Sequence, residues 1–391
     1  MSYQPPAGPP PDSKTQYSAP SGAPPSQQQF TAPAGPPPAQ GLFEKRVTTL
    51  IPLGKDEYKP LLPFTYLTLN RIQAPELYND YMRSIGKKRK ALFGGNKKDK
   101  ELAKDYDTKL VYKDASLKRF YTTDDDILNT FMQDQCMPRI KRLAKRFNME
   151  NKDYLFYDLC QICLFDVFFY IDNSGSMNAG NRLKQLYDFL ILFMQVNVSS
   201  QPLKIRIMNN HANIAQLLLS QFNIDLNNIT TEEQLQIVFN NMSISGVTPL
   251  ATQLYELILK PEVIDKPMLT KPVLVVMFTD GAPTRDKYKL GEVIYKVQTK
   301  LKRMQLPKKS VCYQIAQIGD DSSASDYLES LDNDSTIGDV VDCTSPIEKE
   351  MNQMARKNKE LSTEVNYVKK LLLGAIDMSY DSMDEVNHKV Y

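Results

Sequence analysis

The stretch FDVFFYIDNSGSMNAG, residues 165–180, runs six apolar or aromatic side chains almost unbroken into an aspartate, two serines and a pair of glycine turns. A short apolar run bounded by turn residues reads as a strand buried on both faces. Similar runs follow: LKIRIM (203–208), PVLVVMFT (272–279), VCYQIAQI (311–318) and the short DVVD (339–342). Between them RLKQLYDFLILFMQV, EEQLQIVFNNM, PLATQLYELIL and YKLGEVIYKVQTKLKRM carry apolar residues at helical spacing. Nearly continuous apolar strands alternating with helices predict a doubly wound α/β domain, its mostly parallel sheet covered by helices on both faces.

In such a fold, ligands sit outside the carboxyl ends of the strands, where strand order reverses. The first strand ends in Asp172-Asn173-Ser174-Gly175-Ser176, and alternate residues there can point the same way. The third ends in Thr279-Asp280-Gly281, a second carboxylate at the same edge. Between them SISGVTPLATQL puts Thr248 in a loop before a helix that Pro249 is suited to open. Two carboxylates and three hydroxyls form an all-oxygen donor set, which selects Mg²⁺ or Mn²⁺ over zinc or copper.

The set DNSGS (172–176), GVTP (246–249) and FTDG (278–281) resembles the metal-ion-dependent adhesion site of the von Willebrand factor type A domain, a Rossmann-like α/β fold. IRIMNN (205–210), QIAQIGDD (314–321) and DYLESLDND followed by DVVDCT (326–344) are similar to fungal and protist proteins with that domain, so the resemblance covers about residues 160–355. It implies that Ser174 and Ser176 coordinate the metal directly, that Thr248 does so in one of two states, and that Asp172 and Asp280 act directly or through water. It also implies that the open metal position takes an Asp or Glu of a partner protein. A divalent-metal-dependent protein-binding module in an intracellular adaptor or assembly role is the resulting expectation. The loops Met177–Arg182, His211–Ile214 and Ala282–Lys289 are expected to flank the site and supply specificity.

Two alternatives stand beside it. One is a scaffold that assembles through its Pro-rich tail, with the metal serving stability only. The other is a metal-dependent hydrolase, which the residues support poorly. Ser174 stands where an aspartyl-phosphate mechanism wants a second acid, neither serine lies in a Gly-x-Ser-x-Gly frame, and His211 and His388 are the only histidines. No Gly-x-Gly-x-x-Gly follows the first strand, no Walker loop is present, and no second pair turns Cys160-x-x-Cys163 into a zinc site. The chain is therefore read as a non-enzyme, with His211 a polar loop residue and the two cysteines packed against the sheet.

Residues 1–40 hold about half of the 25 prolines, contain AGPPP twice and carry only Asp12 and Lys14 as charges. This composition predicts a disordered tail of polyproline II character, open to self-association or to proline-recognising modules. Residues 41–159 read as an uncharacterised mixed region with a basic loop near 86–104, whose Lys87 to Lys90 cluster could act as a nuclear import signal. Within it, DDDILNTFMQDQCMPRIKRLAKRF looks helical through Ile127, Phe131, Ile140, Leu143 and Phe147, and Pro138 should break or kink it. A C-terminal helix over 346–373, with a stripe of Met351, Met354, Leu361, Val365 and Val368, could lie on the sheet or reach a partner, and a polar tail follows over 374–391.

With 48 basic and 46 acidic residues the net charge of +2 gives no global field for nucleic acid or membrane. Five scattered cysteines suit a reducing compartment. The longest apolar stretch, Tyr154 to Ile171, is interrupted by Asp158, Gln161 and Asp166, so no transmembrane segment is expected. A cytoplasmic protein follows from these readings.

Overall fold

The computed structural model describes residues 119–120, 136–197, 201–346, 349, 363–377 and 380. The Pro-rich tail, the Lys87 to Lys90 cluster, Ile127, Phe131, Met351, Met354 and Leu361 lie outside them. Strands β1 (Asp166–Ile171), β2 (Lys204–Ile207), β3 (Val273–Thr279), β4 (Val311–Gln317) and β5 (Val341–Thr344) form one sheet. Their order is β2-β1-β3-β4-β5 and every neighbouring pair is parallel, so the parallel α/β expectation holds. From β1 the chain runs outward to β2, then crosses back to lay β3 on the other side of β1. That reversal puts the switch point between the carboxyl ends of β1 and β3.

The helices are α1 (Met137–Arg146), α2 (Arg182–Val196), α3 (His211–Phe222), α4 (Glu232–Asn241), α5 (Leu250–Leu254, continuing as π-helical turns over Tyr255–Ile264), α6 (Leu290–Arg303), α7 (Ser322–Asp332) and α8 (Thr363–Leu373). Successive strand residues face opposite sides of a sheet. Accordingly Phe169 meets Phe193 of α2 at 4.5 Å between ring centroids, while the adjacent Tyr170 hydroxyl donates to the Leu250 carbonyl of α5 at 3.0 Å. Helices thus cover both faces. On the first face Phe189 of α2 packs against Phe278 of β3 and Tyr367 of α8, at 4.9 and 6.3 Å.

All seven positions of β3 and all seven of β4 are buried, as strands covered twice must be. Gln314, like Gln317 and Thr279, is one of the polar residues in that interior. Its amide nitrogen donates to the backbone and side chain of Asp342, and its oxygen accepts the Ala375 N–H at 3.0 Å. Burial of the polar group is therefore matched by partners. Side chains of 136–165 and 363–376 join the same buried cluster as the sheet.

Pro138 stands in the first turn of α1, where a missing N–H costs nothing, and the part of the expected helix before residue 136 lies outside the described residues. Several other local expectations need correction. The fifth strand begins two residues later than DVVD, because Gly338–Val340 makes a 3₁₀ turn first. Residues 150–164 form a 3₁₀ segment, and α3 and α7 were not foreseen. His211–Ile214 is consequently the first turn of α3 rather than a loop. The described part of the C-terminal helix does not reach outward: Val365, Asn366, Tyr367, Val368 and the run Lys369–Leu373 are all buried. Among the described residues no helix is long and apolar enough to cross a membrane.

Candidate functional site at the switch point

The β ladder carries one residue past the strand ends. Asp172 N–H donates to the Phe278 carbonyl at 2.9 Å, which sets Asp172 beside Thr279. The Thr279 hydroxyl then donates to Asp172 Oδ2 at 2.8 Å, and the Ser174 N–H donates to Oδ1 at 2.8 Å. Both carboxylate oxygens of Asp172 are thus fixed, one by its own loop and one by the end of β3. Burial pushes the Asp172 carboxyl up, an effect opposed by those hydrogen bonds and reinforced by the negative charge of Asp280.

From Asp172 the hydroxyls lead to the second strand end. Ser174 and Ser176 hold their Oγ atoms 3.1 Å apart, and Ser176 donates to Asp280 Oδ1 at 2.9 Å. Four of the five residues, Asp172, Ser174, Ser176 and Asp280, are thus joined in one chain across the β1–β3 gap. Ser174 and Asp280 are buried while Ser176 is exposed, so the chain of oxygens opens to solvent at its middle.

Thr248 is brought alongside by its backbone. Gly175 N–H donates to the Gly246 carbonyl at 3.2 Å, and Ser245 N–H to the Asn173 carbonyl at 2.9 Å. On its other side the Thr248 N–H donates to Thr284 Oγ1 and the Thr248 carbonyl accepts the Thr284 N–H, each at 3.0 Å. Among the described residues, no hydrogen bond links the Thr248 hydroxyl to the other four. Gly246 makes the close approach feasible, since its φ is +94° and a Cβ there would meet the Asn209 side chain at 3.4 Å.

Residues that the motif reading did not single out hold this arrangement. Asn173, with no exposed surface, donates to the Asn209 and Ser243 carbonyls at 3.1 and 2.8 Å and accepts the Asn209 N–H at 2.7 Å. It ties the loops after β1, β2 and α4 together. Asp286 accepts the Ala251 N–H at 2.6 Å and the Thr252 N–H at 3.0 Å, satisfying the start of α5 as a carboxylate at a helix N-terminus does. Arg182, the first residue of α2, places NH1 2.5 Å from Asp280 Oδ2 and 3.1 Å from the Ser176 carbonyl. A cation at that end opposes the helix dipole. That conflict was the one sign of Arg182 available in the sequence.

Among the described residues, no hydrogen bond joins His211 or the cysteines to the five site residues. His211 accepts the Ile207 N–H on Nδ1 at 3.2 Å, and burial, then the nearby Arg206 charge, lower its pKa to about 4. It is a neutral brace between β2 and α3. None of the five cysteines forms a disulfide. Cys160 and Cys163 are buried, with Cys136 Sγ 3.9 Å from Cys163 Sγ. Beside the site, the loop 282–289 lines a cavity of about 1060 Å³ together with Tyr295, Tyr327 and Ile337.

The donor chemistry fits a hard divalent cation: neutral hydroxyls of Ser174 and Ser176 lie within hydrogen-bond reach of each other and of one carboxylate, at an opening to solvent. Among the described residues no group of three or more His, Cys, Asp or Glu gathers to hold a metal ion. No protein-family model matches the chain, and no curated protein matches it.

Proposed function

We propose that this chain is a divalent-metal-dependent protein-binding module of the von Willebrand factor type A class, recognising an acidic side chain of a partner. Mg²⁺ or Mn²⁺ would be held by Ser174, Ser176 and Thr248, with Asp172 and Asp280 acting directly or through water. The observation that carries this reading is the continuous chain Asp172–Ser174–Ser176–Asp280 across the switch point. When bound, the metal supplies a positive centre that attracts a carboxylate oxygen. The rest is work for the chain's own residues. Asp172, held by Ser174 and Thr279, keeps the first loop in place, and Asn173 and Thr284 position the loop bearing Thr248.

One metal–carboxylate bond does not make a complex, since a stable interface buries about 1,200–2,000 Å². The neighbouring cavity supports the rest of the contact. Arg285, Lys287 and Lys289 line it together with Asp286, Glu292 and Asp334 and with Tyr288, Tyr295 and Tyr327, a surface of both charges and aromatic rings that can extend the contact around the metal.

The test is quantitative capture of partners from native extract on the purified full chain, in Mg²⁺ and in chelator, with Thr248→Ala alongside. Proteins lost in both chelator and variant are the expected result. An identical capture list in all three conditions would overturn the metal-mediated reading.

A further inference from the structure

We propose that Arg182 is an internal cation that competes with the divalent metal for Asp280 and so sets the affinity of the site, an inference that rests on the metal-site reading above. Asp280 has no exposed side-chain surface and needs a partner for its charge. Ser176 satisfies Oδ1 and Arg182 satisfies Oδ2, so the carboxylate is fully engaged by groups of this chain. The same guanidinium nitrogen also donates to the Ser176 carbonyl at 3.1 Å, which ties it to the backbone of a second site residue.

The position is built rather than incidental. Gly319, just past β4, has a φ of +75°, and a Cβ there would lie 2.6 Å from Arg182 Nε and 3.3 Å from Cζ. The missing side chain is the seat of the guanidinium. Asp321 lies in the same loop. Its carboxyl is held below the ordinary range by the Ser323 hydroxyl first, then by the N–H groups of Ala324 and Ser323, and also by the charge of Arg182. Arg182 therefore pairs with Asp280, while its charge also reaches Asp321.

A divalent ion near Ser176 and a guanidinium on Asp280 repel each other across a poorly screened gap. Removing the guanidinium charge should raise metal affinity and, without metal, leave Asp280 buried and unpaired. A purely structural arginine would lower stability equally in both conditions.

The experiment titrates Mn²⁺ into the full chain by calorimetry and records melting temperature in chelator and in saturating Mn²⁺, for wild type, Arg182→Gln and Arg182→Lys. The expected dissociation constant for Arg182→Gln is lower by about tenfold or more, with Arg182→Lys between it and wild type. Its melting temperature should fall by about 5 °C in chelator and recover in Mn²⁺. Equal or weaker affinity, with the same deficit in both conditions, overturns the competition and leaves the metal site standing. No Mn²⁺ binding by any form overturns the site reading and this inference with it. Gly319→Ala, which crowds the guanidinium off its seat without removing the charge, covers the case of an unfolded Arg182→Gln. Tighter Mn²⁺ binding supports the competition and unchanged binding overturns it.

Discussion

Replacing Asn173 by alanine should cost more than any change at an exposed loop position, because one side chain joins three loops. Its amide makes three hydrogen bonds, at 2.7, 2.8 and 3.1 Å, to backbone groups of Asn209 and Ser243. A net value of about 1 kcal/mol each, with the partners left to find water, gives a loss of about 3 kcal/mol. For a body of this size that lowers the melting temperature by about 6–12 °C. The assay is urea unfolding followed by far-ultraviolet circular dichroism, in chelator so that metal linkage does not contribute. Asn178→Ala is the control: it is exposed, its amide reaches the Ile244 carbonyl only at 3.5 Å, and its loss should stay within about 0.5 kcal/mol. A loss below about 1 kcal/mol for Asn173→Ala would refute the view that this residue holds the loops together.

Two further outcomes follow from named contacts. His211 titrates near pH 6.5 in the unfolded chain and about 4 in the folded one, so the unfolded state binds more protons between those values and stability is lost as the pH drops through that window. Discounted for partial exposure, the fall is about 1–2 kcal/mol, and the stability difference between pH 7 and pH 4 should be smaller by that amount in His211→Gln. Thr231 accepts the Gln234 N–H at 3.2 Å while Gln234 Oε1 accepts the Thr231 N–H at 3.2 Å, a reciprocal cap on α4. Chemical denaturation of Thr231→Ala should show a loss of about 1 kcal/mol.

The sheet was legible where burial is nearly total. VLVVMFT and VCYQIAQ leave no solvent face, so periodicity needed no help from tertiary context. β5 starts two residues into DVVD because Asp339 and Val340 belong to a 3₁₀ turn, and Asp342 is buried inside the strand as the partner of Gln314. α7 escaped notice because only Ala324, Leu328 and Leu331 of its eleven residues are buried, too few to make a clear stripe. α3 was hidden by Asn209-Asn210-His211, which reads as turn chemistry. Asn210 does adopt a left-handed conformation, but it does so at the N-cap of a helix. Asp172, Ser174, Ser176 and Asp280 were picked out because they follow strand ends, and Thr248 because it precedes a helix that Pro249 is suited to open. Their supports were not: Thr279 meets Asp172 across 107 residues of sequence, and only the strand order makes them neighbours.

The order in which the chain is synthesised gives α8 a further consequence. Lys369 of this helix pairs with Asp158 at 2.6 Å and donates to the Leu155 carbonyl at 2.6 Å, and Tyr367 packs on Phe189. Just beyond it, Gly374 lies so close to Asp342 and Gln314 that a Cβ would collide with both. The last described helix thus closes a face whose strands and α2 are all made earlier. Until residues 363–376 leave the ribosome, Phe189, Phe278 and the Gln314 amide lack their cover, and the nascent chain presents an apolar sheet face of the kind that chaperones hold.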